Sequence, residues 1–190
     1  MPSVPSVADI LSPRLILRHL TPDMLRACVQ ARLADAAAAL GSDLPLDWLE
    51  EAAVMSLRLE QMDSDPDYAP WSMRAMLLRD SGQLVGHINF HTRPGHPYLA
   101  GRGDVELGYT VLPAFRRQGY ASEALLACAD WAVQCAGVRR FVLSISPDNL
   151  PSQQLAARLG FCWLERVEDP EDGPEDVLVA DWPFLPAMHD

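Results

Sequence analysis

The stretch Val111-Leu112-Pro113-Ala114-Phe115-Arg116-Arg117-Gln118-Gly119-Tyr120-Ala121 constrains the fold more than any other. It reads as the end of an apolar strand, a basic turn, and the start of an alanine-rich helix. Exposed N–H groups at a helix start favour an anion. Gly119 lets the backbone approach a ligand with no side chain in the way. Consecutive loop amides can form an anion-binding nest, and Arg116 and Arg117 add charge and planar donors. A diphosphate is the natural guest. An ordinary strand-to-helix turn with surface arginines is the plainer reading of the same residues.

The surrounding pattern places this turn in an α/β chain. Residues 1–12 read as a loose Pro/Ser-rich leader, 13–184 as one domain and 185–190 as a tail. Residues 14–20 suit a first strand. Thr21-Pro22 opens a helix running to Leu40 and closed by Gly41. A second helix is predicted over Pro45 to Met62, with Leu46, Leu49, Ala53 and Leu57 on one stripe. Strands near Trp71–Arg79 and Gln83–His91 flank the hairpin signal Asp80-Ser81-Gly82. After a Pro/Gly-rich loop at 92–102 comes a strand at Asp104–Leu112, then the basic turn and a helix ending at Gly137. Phe141–Ile145 is a short strand, and Asn149 caps a helix that ends at Gly160. Two last strands, Phe161–Val167 and Asp176–Trp182, flank an acidic turn at Glu168–Glu175. The order βααβββαβαββ predicts an α/β fold: one mixed sheet with helices on both faces.

Composition narrows the chemistry. A net charge of −11 argues against a nucleic-acid partner and suits a cationic one, although acidity is also common among soluble proteins. The sequence contains no lysine, so Schiff-base chemistry and a Walker-type phosphate loop are excluded. Neither a signal peptide nor a membrane span is expected. Cys28, Cys128, Cys135 and Cys162 form no C-x-x-C pair, and Cys128 and Cys135 read as small core residues. A reduced, cytoplasmic setting fits them.

With these residues in view, the chain resembles the GNAT superfamily of N-acetyltransferases. The signature [Arg/Gln]-x-x-Gly-x-[Gly/Ala] is met by Arg116, Gly119 and Ala121. Glu106-Leu107-Gly108-Tyr109, Val111-x-Pro113 and Asn149-x-x-Ser152 with Leu159-Gly160-Phe161 follow in the family's order. Arg14-Leu15-Ile16-Leu17-Arg18 is similar to the start of the RimJ/RimL-like branch.

The resemblance implies an acetyl-CoA site in an opening between two splayed parallel strands, Asp104–Leu112 and Phe141–Ile145. Main-chain groups of Thr110, Val111 and Leu112 would meet the pantetheine arm. Arg116, Arg117, Gln118, Gly119, Tyr120, Ala121 and Ser122 would surround the pyrophosphate, with Asn149 and Ser152 on the pantetheine's other side. Asn149 as a simple helix cap and Ser152 as a first-turn hydroxyl remain the plainer readings.

The implied reaction is direct transfer of the acetyl group to a primary amine, of a small molecule or a peptide N-terminus, in a ternary complex. The amine must lose a proton and the thiolate must gain one. Glu106 is the candidate base. On a regular strand it shares a face with Gly108 and Thr110, and Gly108 leaves room beside it for substrate or a relay water. A glutamate bound to the backbone or facing solvent is the alternative. Many members carry a tyrosine as general acid where this chain has Ala156; Ser152 is the local substitute, with Tyr120 and Tyr109 behind it. Loss of that tyrosine keeps a non-catalytic acetyl-CoA-binding or sensing module as the rival reading. His87, His91 and His96 raise the question of a metal, but no carboxylate or cysteine cluster completes a ligand set, so none is expected, and these histidines read instead as lining or rimming the acceptor side or as surface residues. The second helix and the 92–102 loop are expected to shape the acceptor side, where Trp48, Trp71, His96 and Tyr98 could contact a cation, with an ordinary core or loop-packing role the plainer reading of each; a homodimer is a family-level expectation.

Overall fold

In the computed structural model, residues 7–170 and 173–184 are described. They form eight strands: β1 (Ile10–Leu11), β2 (Leu15–His19), β3 (Arg74–Leu78), β4 (Leu84–Phe90), β5 (Val105–Val111), β6 (Arg140–Ile145), β7 (Cys162–Asp169) and β8 (Gly173–Asp181). Five α-helices accompany them: α1 (Pro22–Val29), α2 (Leu33–Leu40), α3 (Ala52–Ser64), α4 (Tyr120–Ala136) and α5 (Leu150–Arg158). The chain divides into two compact units, 1–90 with 109–128 and 91–108 with 129–190, so β5 and α4 each begin in one unit and end in the other.

In the first unit, β1, β2, β3 and β4 pair in that order, antiparallel at β1–β2, β2–β3 and β3–β4. The last part of β5 joins beside β4, where the Leu112 N–H donates to the Val85 carbonyl at 2.9 Å. Every residue of β4 is buried, including His87 and Asn89, whose side chains are paired with Glu51 and Arg58. Gly86 sits in it because a Cβ there would meet the Thr110 carbonyl oxygen at 2.2 Å. Leu15, Leu17, Leu25, Met55 and Met73 are fully buried in this unit.

In the second unit, β5 and β6 run parallel with Val105 opposite Phe141 and Glu106 opposite Val142. β6 pairs antiparallel with β8, and β8 with β7. Leu99, Val142, Val177 and Val179 form its core, with Val167 packed against them. The sheet is thus mixed, as the element order predicts.

Several local expectations change. Ile10 and Leu11 of the expected leader pair with Leu17 and Ile16, and Ser12 is buried, because its hydroxyl bonds the Leu15 N–H; residues 1–6 and 185–190 lie outside the described residues. The single helix from Pro22 to Leu40 is two, α1 and α2. Ala31 takes the left-handed φ of 54° and breaks the ladder between them. The second helix begins as a 3-10 turn at Leu46–Glu51 and becomes α3. Its buried face is Trp48, Met55, Arg58 and Met62, while Leu46 and Leu57 are exposed. The apolar stripe fails because Arg58 takes a core position, its guanidinium bonded to Asn89 and Gln61. β7 and β8 run into the expected acidic turn, reaching Asp169 and starting again at Gly173. Cys135 is exposed, whereas Cys128 is buried. Among the described residues no helix is long and apolar enough to cross a membrane.

Candidate active site

The basic turn is built as its sequence suggests. A short 3-10 turn, Pro113–Phe115, leads out of β5, and α4 starts at Tyr120. Arg117 and Gly119 both adopt left-handed backbone, φ 62° and 84°. Arg116 before them is extended, with φ −63° and ψ 158°, so the chain reverses direction sharply at Arg117 and Gly119 just ahead of the helix start. Arg116, Arg117, Gln118 and Gly119 are all exposed. The turn can therefore present amides, a helix start and cationic side chains to a diphosphate, and its residues fit that group.

Arg14, at the edge of β2, holds this turn. Its Nη1 donates to the Gln118 carbonyl at 3.0 Å, and its Nε donates to Glu123 Oε2 at 2.6 Å. Its guanidinium lies 4.6 Å from the centre of the Tyr120 ring. Glu123, in the first turn of α4, also accepts from the Arg14 main-chain N–H at 2.6 Å and from the Ser12 hydroxyl at 2.7 Å. Burial pushes the Glu123 carboxyl up, but the hydrogen bonds from Ser12 and Arg14 and the Arg14 charge outweigh it and hold it below the usual range. Nothing in the sequence signals this clamp, since its two ends lie 109 residues apart.

Two of the main-chain groups expected to meet pantetheine already have partners. The Val111 carbonyl accepts from Arg116 Nε at 3.0 Å, and the Leu112 N–H is taken by Val85. The Val111 carbonyl keeps a second lone pair. The Thr110 side chain lies beside Glu51, a carboxylate that sequence reasoning missed. Glu51 Oε2 stands 2.7 Å from Nε2 of buried His87, whose ring meets Trp48 edge-on with centroids 5.8 Å apart. The His87 hydrogen bond, helped by one from Thr110, holds Glu51 below the usual carboxylate range against the effect of burial.

Asn149 caps α5, its Oδ1 accepting the Ser152 N–H at 3.3 Å. The cap leaves the two amide donors on the other end of the side chain. Ser152 is half-buried, and Ala156 is fully buried.

Glu106 departs most from expectation. It does share a face of β5 with Gly108, but it is 1% exposed, and the space beside Gly108 holds the His91 imidazole rather than an opening. His91 Nδ1 stands 3.2 Å from Glu106 Oε1. The pairing is enforced by backbone, for the His91 N–H donates to the Glu106 carbonyl at 2.9 Å. Of the other residues expected near an acceptor, Trp48 and Trp71 are core residues at 1% and 2% exposure. Nδ1 of His96 accepts the Tyr98 N–H, closing the Pro97–Leu99 turn. Tyr98 is exposed and borders a cleft of ≈ 510 Å³ with Ala100, Gly101, Arg102, Leu164 and Glu165. Among the described residues, no group of three or more His, Cys, Asp or Glu side chains could hold a metal ion.

A mixed sheet carries this basic turn at the start of a helix, where free N–H groups suit an anion. Residues 14–162 match the Acetyltransferase (GNAT) domain family, and the chain belongs to that family. It is 31% identical over 86 residues to the uncharacterized N-acetyltransferase YnaD of Bacillus subtilis, a match covering 45% of this chain and 46% of that protein. The chain thus spans about half the length of that relative. A putative GnaT-family acetyltransferase from Bordetella pertussis superposes with a TM-score of 0.62 at 24% identity, over 90% of this chain and 98% of that one. Mycobacterium smegmatis RimJ in complex with CoA-disulfide superposes with a TM-score of 0.61 at 20% identity, over 95% and 90% of the two chains. These two likenesses concern the fold.

Proposed function

We propose that the chain transfers the acetyl group of acetyl-CoA to a primary amine by direct attack in a ternary complex. The observation that carries this reading is the turn at Arg116–Gly119, with its left-handed Arg117 and Gly119 and its clamp by Arg14. In this reading Arg116, Arg117, Gln118, Gly119, Tyr120, Ala121 and Ser122 bind the pyrophosphate. The main chain at Thr110, Val111 and Leu112 and the side chains of Asn149 and Ser152 serve the pantetheine arm. Because Val111 and Leu112 each have an internal partner, the Val111 carbonyl contributes its second lone pair and the Leu112 N–H stays with the sheet.

Deprotonation of the amine depends on Glu106, and Ser152 is the hydroxyl for the departing thiolate. A thiolate is a good leaving group, so a weak donor suffices. The acceptor is a small molecule or a peptide N-terminus that carries positive charge. The net charge of −11 supports this, as does the Tyr98 cleft, where Arg102 is paired with Glu165 and the phenol also feels Glu106, Glu175 and Asp169. A cation gains both from such a field and from an aromatic face.

The test is an acetyl-transfer screen with acetyl-CoA against N-terminal peptides, polyamines, aminoglycosides and amino-acid analogues. Thiol release with at least one amine class is expected. Tight acetyl-CoA binding without turnover on any of them would favour the non-catalytic sensing module.

A further inference from the structure

We infer that Glu51 is a specificity-determining residue for the acceptor: its carboxylate holds the positive charge of the incoming amine beside Thr110; the inference rests on the acetyl-transfer reading above. Glu51 ends the 3-10 turn Leu46–Glu51 that leads into α3, and with His87 and Thr110 it belongs to the first unit. Its side chain is 20% exposed, so the carboxylate is drawn in from the surface yet still meets solvent, whereas the His87 side chain behind it is 3% exposed. Glu51 Oε2 stands 2.7 Å from His87 Nε2. Among the described residues no arginine pairs with this carboxylate; its partners are a histidine and a threonine.

The other end of the His87 ring fixes the charge of the pair. Nδ1 is buried with no hydrogen-bond partner. A proton there would bury an unbonded donor and turn the Nε2 lone pair towards a carboxylate, so the proton sits on Nε2 and is donated to Glu51. A neutral imidazole therefore orients the carboxylate without cancelling its charge. That hydrogen bond, with a smaller contribution from Thr110, holds the Glu51 carboxyl below its usual range against burial and keeps it ionised near neutrality. A carboxylate offers about four lone-pair sites, and His87 and Thr110 each need only one. A partly buried charge without a counter-ion is unfavourable, and a ligand ammonium relieves it while making a charge-assisted hydrogen bond. Thr110 is also a residue whose main chain the acetyl-transfer reading sets against the pantetheine, so a cation held here arrives beside the arm that carries the thioester.

The experiment uses the full chain and the best amine from the screen. Glu51→Gln removes the charge but keeps an oxygen that can accept the His87 N–H. It is expected to raise the KM for the amine about 10-fold or more, the range for a hydrogen bond to a charged group. The loss should fall on KM rather than kcat, with the KM for acetyl-CoA unchanged within about twofold. Glu51→Asp, which restores the charge, should recover part of the loss, and melts verify that both variants fold. A second measurement needs only the native chain. The N,N-dimethyl analogue of the amine keeps its positive charge but yields no stable amide, and it should inhibit competitively against the amine at least about 10-fold more tightly than the neutral alcohol of the same length. An amine KM within about twofold of native in folded Glu51→Gln overturns the assignment of Glu51 alone, as does equal inhibition by the charged and neutral analogues. Absence of turnover in the native chain on every amine overturns the acetyl-transfer reading, and this inference with it.

Discussion

Arg14 reaches the Glu123 carboxylate from two directions: its main-chain N–H donates to Oε1 and its Nε to Oε2, each at 2.6 Å. One residue at the edge of a strand thereby fixes the first turn of the helix whose start forms the basic turn. Arg14→Ala is expected to weaken acetyl-CoA binding about tenfold, equivalent to about 1.4 kcal/mol. The mutation touches the turn through the Gln118 carbonyl and the Tyr120 ring and leaves Arg116 and Arg117 in place. Calorimetry against acetyl-CoA measures it; unchanged affinity would mean that the turn holds its shape without the clamp.

The same carboxylate gives stability a pH dependence. The Glu123 pKa is depressed in the folded chain, so its contribution is present in full above the carboxyl's ordinary value of 4.5 and is lost as pH falls through the lower, folded value. Glu51 has the same sign, through its hydrogen bond with His87. Thermal melts between neutral pH and the acid range should therefore show Tm falling as the medium becomes acidic, with a shallower fall in Glu123→Gln. Parallel curves for the two proteins would show that Glu123 titrates alike folded and unfolded.

Two glycines should respond differently to the same change. At Gly86 an added methyl meets the Thr110 carbonyl oxygen at 2.2 Å, a backbone atom that cannot swing away, and Gly86→Ala is expected to cost ~3 kcal/mol or more. At Gly119 the nearest atom to an added Cβ is the Arg14 Nη2 at 3.4 Å, so only the left-handed backbone resists, at about 1–2 kcal/mol. Denaturant unfolding of both variants checks the order; equal losses would contradict it.

Thiol chemistry separates the four cysteines. Burial pushes the Cys128 thiol up to about 12, and burial also raises Cys28. Cys135 and Cys162 are exposed. A thiol reagent on the native chain should label Cys135 and Cys162 first, leaving Cys28 and Cys128 until unfolding. Rapid labelling of Cys128 would show that this part of α4 opens readily.

Much of this was legible in the sequence because it depends on neighbours along the chain. Thr21, Asn149, Gly41 and Gly160 mark helix ends by local backbone chemistry. Arg117 aside, the turn at Arg116–Ala121 declares itself through the same logic. What sequence could not supply are contacts between distant residues. Arg14 with Glu123, Glu51 with His87 and the ring of His91 over Gly108 leave no periodic trace. Gly108 was legible as a place where space is needed, but not that an imidazole needs it. Arg58 misled the helix reading for a related reason: periodicity assigns an arginine to the surface, whereas here bonds to Gln61 on its own helix and to Asn89 on another element let it be buried.

The central claim is that the turn at Arg116–Gly119 binds the pyrophosphate of acetyl-CoA. The most direct measurement is calorimetric titration of acetyl-CoA into the native chain and into Gly119→Glu, with melts to verify folding. Saturable binding by the native chain, lost at least 100-fold in the folded Gly119→Glu variant, is the expected result, since the substitution puts bulk and negative charge where the diphosphate is to lie. Equal affinity in the two proteins would contradict the account.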